Sequence, residues 1–340
     1  TLRKLSAEGT AILYISHKLE EIRSICTHAT ILRSGHVTGN VLPRDFDTHE
    51  LAKMMIGRDM PETIPAKPMP HGLKQLEIAS LTHIMEDPFA VSLHDVSLQV
   101  REGEILGIAG VSGNGQSELA ELISGETVLP PSEGDRIVMM GKDVSAMNAT
   151  ARRKLGFAYV PEDRLGQGAV PELSLTRNTL LTAHSHGLFK RGMVNLSKTA
   201  RFTTECIDAY DVRTPGPEAE AGALSGGNLQ KFVIGREIMQ DPEVLIINQP
   251  TWGVDVGAAA HVRQTLIDIS RSGQAVIVIS EELEELFEIC DRIYVICHGK
   301  LSQSLDRAET DVEEIGLLMT GIGNHSDVSG TTTEGYDYAV

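Results

Sequence analysis

Positive charge, aromatic residues, paired cysteines and long apolar runs are all scarce in this chain. A formal net charge of -17 with 4% aromatic residues excludes a basic nucleic-acid surface and electrostatic docking on anionic lipid. Cys26, Cys206, Cys290 and Cys297 are scattered without CxxC or CxxH spacing. They read as reduced cytosolic thiols rather than as a disulfide or zinc framework. No apolar run approaches the ~20 residues of a membrane span, and no signal-peptide pattern is visible, so membrane association is expected through a partner. What remains, 340 residues of which 41% are hydrophobic, suffices for one large α/β domain with an appendage.

Gly110 to Ser117 read Gly-Val-Ser-Gly-Asn-Gly-Gln-Ser, between an apolar strand at 105–109 and a helix expected over 117–123. That is the context of a phosphate-binding loop. Its glycines let backbone N–H groups turn inward on an anion, and the helix N-terminus adds partial positive charge. Gln116 stands where such a loop carries lysine, while Ser117 keeps the hydroxyl that would meet Mg²⁺. A Gly-rich turn is also an ordinary tight connection, so the loop alone decides nothing.

An internal repeat bears on organisation. Residues 1–41 align without gaps on 265–305, with identities at Gly9/Gly273, Ile15/Ile279, Ser16/Ser280, Leu19/Leu283, Glu20/Glu284, Glu21/Glu285, Ile25/Ile289, Cys26/Cys290 and Gly35/Gly299. Each copy reads as helix end, Gly turn, apolar strand, acidic helix and second strand, and a gapless run of this length favours duplication. The expected organisation has four parts. Residues 1–56 are the end of a first domain, 57–74 a Pro-rich linker, 75–322 a second domain and 323–340 a disordered tail. The chain, which opens on Thr1, is expected to be part of a longer tandem protein. Strands are expected at 75–80, 91–100 and 104–109, and the β-branched runs 244–247 and 275–279 read as buried parallel strands. Phe89 is expected in the core, with stacking on adenine as the alternative. The acidic helix 281–288 is expected to be solvated.

Two further motifs settle the class. Leu224-Ser225-Gly226-Gly227-Asn228-Leu229-Gln230-Lys231 opens a helix expected to reach Met239, and Leu245-Ile246-Ile247-Asn248-Gln249-Pro250-Thr251 is a strand running into a polar turn. With the loop, they resemble the ATP-binding subunit of an ABC transporter from about Gln75 to Gly321. Gly-Asn-Gly-Gln at 113–116, Val-Pro-Glu-Asp-Arg at 160–164, Ser-Gly-Gly-Asn-Leu-Gln-Lys at 225–231 and Gly-Val-Asp-Val-Gly-Ala at 253–258 resemble the tandem subunits of simple-sugar and nucleoside importers. The resemblance implies an α/β fold: a P-loop NTPase of ABC type with an antiparallel β subdomain and a helical subdomain carrying the signature motif.

It also implies ATP and Mg²⁺ as cofactors, held by Gly110, Ser112, Gly113, Asn114, Gly115, Gln116, Ser117 (the metal position), Glu118, Glu162, Ser225, Gly226, Gly227, Gln230 and Asp255. By the same carry-over Gln116 replaces the phosphate lysine, Asn248 the metal-binding aspartate and Gln249 the catalytic glutamate. Glu281 stands where the first copy has His17, the family's switch histidine. A carboxylate there repels phosphate. With both Walker carboxylates absent, most of the usual rate of phosphoryl transfer is lost. Trp252 departs from the family's usual arginine. The expected partners are permease subunits, a substrate-binding protein and the missing first nucleotide-binding half, at the cytoplasmic face of the membrane, with no nucleic acid. A non-catalytic nucleotide-binding scaffold is the alternative. A soluble ABC protein of translation or repair is disfavoured by the importer-like motifs.

Overall fold

The computed structural model describes residues 1–321 apart from 17, 34, 57–71, 130–135, 185–186 and 191. His17, most of the expected linker and the expected tail lie outside the described residues.

Short β-branched runs build the centre. Six strands lie in the order Lys300–Leu301, Arg292–Cys297, Ile105–Ala109, Ala275–Ser280, Val244–Asn248 and Phe157–Val160, and Leu305–Asp306 pairs with Arg292–Cys297 as a seventh. Ile105–Ala109 has a parallel neighbour on each side. Val244–Asn248 and Ala275–Ser280 are buried at every position, as parallel strands covered on both faces must be. Along Ile105–Ala109 the side chains alternate. Leu106 and Ile108 join one core with Leu119, Leu122 and Ile123. Ile105 and Ala109 join a second core with Phe232, Val233 and Leu266.

Against the first face packs an antiparallel sheet ordered Leu93–Arg101, Lys74–His83, Arg136–Met139 and Lys142–Asp143. Its inward residues Leu76, Ile78, Val96 and Leu98 belong to the first core. The strand expected from 91 starts at Leu93, because the Val91 N–H is taken by the Glu118 carboxylate at 2.9 Å. Phe89 is not a core residue. It sits in the Asp87–Ala90 turn, its N–H donating to Asp87, and its side chain is 94% exposed. A three-helix layer (Leu175–Ala183, Leu196–Ala209, Gly226–Ile238) carries the Ser-Gly-Gly motif at the start of its last helix.

Two buried polar groups brace these layers. Arg152 is fully buried and donates to the carbonyls of Leu122, Ile123, Ser145 and Met147, so it satisfies the end of the helix Gln116–Ser124. Burial pushes its pKa down to about 10. Glu237 is buried between Arg153 (2.6 Å) and Arg236 (2.9 Å) and accepts a hydrogen bond from Thr182 at 2.7 Å. Burial pushes its pKa up, but the Arg153 and Arg236 guanidiniums outweigh that and hold it below the usual value.

The 264-residue offset recurs in the secondary structure. Leu19–Ile25 and Leu283–Ile289 are both seven-residue helices ending in an extended cysteine, Cys26 and Cys290. The correspondence extends past residue 41, for Thr48–Ile56 matches Val312–Met319. Its largest failure is at the inner strand. Ala275–Ser280 is a strand between two parallel neighbours, whereas residues 11–16 form no strand, and Leu13 and Ile15 are each 90% exposed. A strand needs ladder partners, and these residues have none among the described residues. Lys18 meets Glu282 at 3.0 Å, and the two are equivalents under the offset.

Candidate functional site

The parallel registers bring one end of the sheet together. Ala109 is opposite Ser280, and Ile279 opposite Asn248, so the loop at 110–117, the amides at 248–249 and Glu281 emerge side by side. Ligands of open α/β sheets bind at the carboxyl ends of the strands. Here a shallow, solvent-open cleft is lined by Ser112, Gly113, Gln116, Ser117, Glu162, Asn248, Gln249, Ile279, Ser280 and Glu281.

Gly115 caps the helix Gln116–Ser124 at φ 110, a left-handed conformation that strains any side-chain-bearing residue. Ser117 is exposed to the cleft, and Glu118 is committed to the Val91 N–H. Asn248 is 2% exposed. Gln249 takes φ 50, unusual for a residue other than glycine, and its N–H donates to Ile279 C=O at 2.8 Å. Its side-chain oxygen faces the Glu281 N–H at 3.5 Å, so these two positions touch. Burial and then the Glu281 carboxylate raise the pKa of Glu162 across the cleft.

Ser225, Gly226 and Gly227 do not line this cleft. Ser225 and Gly226 are exposed at the N-terminus of the helix Gly226–Ile238. Gln230 and Asp255 brace the region from behind. Gln230 donates to Pro250 C=O at 3.0 Å, and Asp255 caps the helix Val256–Arg271 through the Ala258 N–H at 2.9 Å. Trp252 has a partner that the sequence did not suggest: the Arg164 guanidinium lies 5.8 Å from its ring centroid. Arg164 also packs against Gly226, where an added Cβ would meet its Nη1 at 2.8 Å.

Glu285 was missed as well, because an acidic helix reads as solvated. It is 3% exposed and accepts a hydrogen bond at 2.9 Å from Ser280, the residue before Glu281. Burial pushes its pKa up to about 7. Its folded pKa is raised above the unfolded value, so the stability it contributes is full below about pH 4.5 and is lost as pH rises through about 7. Glu285→Gln is therefore expected to raise the urea midpoint at pH 8 and to change it little at pH 5. Equal shifts at the two pH values would refute a raised Glu285 pKa.

A central sheet with a Gly-rich loop at its strand ends, an antiparallel sheet on one face and a helical layer carrying Leu-Ser-Gly-Gly define an ABC-type P-loop ATPase fold. Residues 93–252 match the ABC transporter family. The same fold is seen in an ATP-binding subunit of an ABC transporter (TM-score 0.59, 21% identity, 72% of this chain and 99% of that one). It recurs in an ATP-binding cassette solved as a dimer in a post-hydrolysis state with ADP and Pi (TM-score 0.59, 20% identity, 68% and 98%). Similar curated proteins include the glucose import ATP-binding protein TsgD13 of Haloferax volcanii, 36% identical over 98% of this chain and 61% of that protein. The nucleoside import ATP-binding protein NupA of Lactococcus lactis subsp. cremoris is 37% identical over 94% and 63%. The galactose/methyl galactoside import ATP-binding protein MglA of Pasteurella multocida is 34% identical over 92% and 61%. The chain thus spans about three fifths of the length of these relatives.

The ABC family binds ATP, generally with Mg²⁺. The loop has the left-handed Gly115 turn and the helix N-terminus that suit a phosphate. Around the Ser117 hydroxyl the cleft sets the neutral amides of Asn248 and Gln249 and the carboxylates of Glu162 and Glu281, so a cation there would have the hydroxyl and the two carboxylates as its oxygen ligands.

Proposed function

We propose that this chain is the second half of a tandem ATP-binding component of an ABC importer for simple sugars or nucleosides, acting at the cytoplasmic face of the membrane through permease subunits fed by a substrate-binding protein. Its own cleft contributes little hydrolysis. Its Ser225–Gly227 helix N-terminus completes the site of the first half, to which His17 belongs. The observation that carries this reading is a contrast within one cassette: the cleft presents neutral amides and two carboxylates, while the Ser-Gly-Gly helix end is intact and exposed. The Lys18–Glu282 contact between repeat equivalents supports paired halves, since a two-fold relation brings equivalent residues together near its axis.

Purified chain is expected to hydrolyse ATP at close to background rate. Gln116→Lys, Asn248→Asp, Gln249→Glu and Glu281→His together should raise that rate only when the other half supplies an opposing signature helix. Turnover like that of ordinary ABC ATPases in the unmodified chain, abolished by Ser117→Ala, would overturn the reading. The scaffold alternative predicts instead that transport survives Ser225→Arg.

A further inference from the structure

Gln116 does more than lack a charge. Its Oε1 accepts the Asn114 N–H at 3.0 Å, and its Nε2 donates to Val111 C=O at 2.9 Å. The side chain is 8% exposed, folded under the loop it belongs to, and its Nε2 lies 2.5 Å from where a Cβ on Gly110 would stand. We propose that the Gln116 carboxamide is an internal occupant of the phosphate loop, which a nucleotide must displace before its own phosphates can be held. This rests on the reading of the cleft as a nucleotide site.

The chemistry follows from what each end of the amide can do. A lysine has donors only, so it could serve the Val111 carbonyl but never the Asn114 N–H. Glutamine brings an acceptor as well, and directs it at a backbone donor beside the helix N-terminus, in the manner of a phosphate oxygen. The loop is then tied from within by Gln116. It is tied from outside by Asn114, whose side-chain oxygen accepts the His298 N–H at 2.8 Å and whose carbonyl accepts the Gly299 N–H at 2.9 Å. A loop held at both sides keeps its turn without any anion. An arriving phosphate gains less than in an open loop, because one donor is already satisfied and the Gln116 amide loses two hydrogen bonds on leaving. The Glu162 and Glu281 carboxylates on the far side of the cleft add to the opposition.

The test reverses the usual sign. Removing the residue at the lysine position of a phosphate loop ordinarily weakens nucleotide binding, whereas Gln116→Ala in the full chain is expected to bind a fluorescent ATP analogue about tenfold more tightly than wild type. Its nucleotide-free thermal midpoint should fall by a few degrees, because the Asn114 N–H loses its partner and Val111 C=O keeps only the Asn114 Nδ2 amide at 2.9 Å. Gln116→Met keeps the volume and removes both bonds, so it should show the same gain should the alanine variant fail to fold. Adenosine, which has no phosphate, should bind all three proteins equally. Affinity for the analogue that is unchanged or weaker in both variants overturns the proposal while leaving the nucleotide site standing. No binding by wild type or either variant at millimolar analogue overturns both.

Discussion

Ser225→Arg, introduced into the full-length protein, is expected to abolish transport-coupled ATP hydrolysis. The exposed helix N-terminus at Ser225 is where an opposing half's nucleotide would be met, and an arginine side chain there fills the approach. The change should leave the fold intact, because the Ser225 side chain makes no capping bond to its helix and only receives the Asn228 amide at 2.8 Å. Gln116→Ala in the same protein should cost much less, since on the proposed reading this cleft contributes little hydrolysis. ATPase and uptake assays on the two variants decide the matter. Equal loss, or greater loss from Gln116→Ala, would make this chain's own cleft the working site.

The largest effect on stability is expected from Glu237→Leu. The carboxylate is fully buried between Arg153 and Arg236, and the Arg236 side chain is itself 2% exposed. Removing one member of such a group leaves an uncompensated buried charge, at a cost of about 3–5 kcal/mol. Urea denaturation should show a loss of that size. Adding Arg236→Met to Glu237→Leu should recover a good part of it, because the charge left behind goes too. A loss below about 1 kcal/mol for the single variant would show that the ion group is solvated.

Much of the fold was readable because its signals are local. The runs 244–247 and 275–279 are continuous and β-branched, and only burial on both faces accommodates such runs, so their strands were found within a residue. The loop and the Ser-Gly-Gly helix were legible from glycines and caps. What escaped depends on distant partners. Glu285 carries no local mark that separates it from Glu284, yet one is buried under Ser280 and the other exposed. Phe89 was misplaced because its turn, set by Asp87 and Pro88, faces outward whatever the residue prefers. Trp252 made no sense alone and has Arg164 as its partner, 88 positions earlier in the sequence. The Gln116 substitution was visible at once, but not the direction in which its amide folds.

Residues 11–16 have a practical consequence. They are an apolar, β-branched stretch with Leu13 and Ile15 turned to solvent and no ladder partner among the described residues. A stretch of that kind templates pairing between chains. Residues 1–340 expressed by themselves are therefore expected to associate at high concentration, and Ile15→Lys should sharpen the gel-filtration peak without touching the cleft. The cassette from residue 72 onward should be the better-behaved material for crystallisation or spectroscopy.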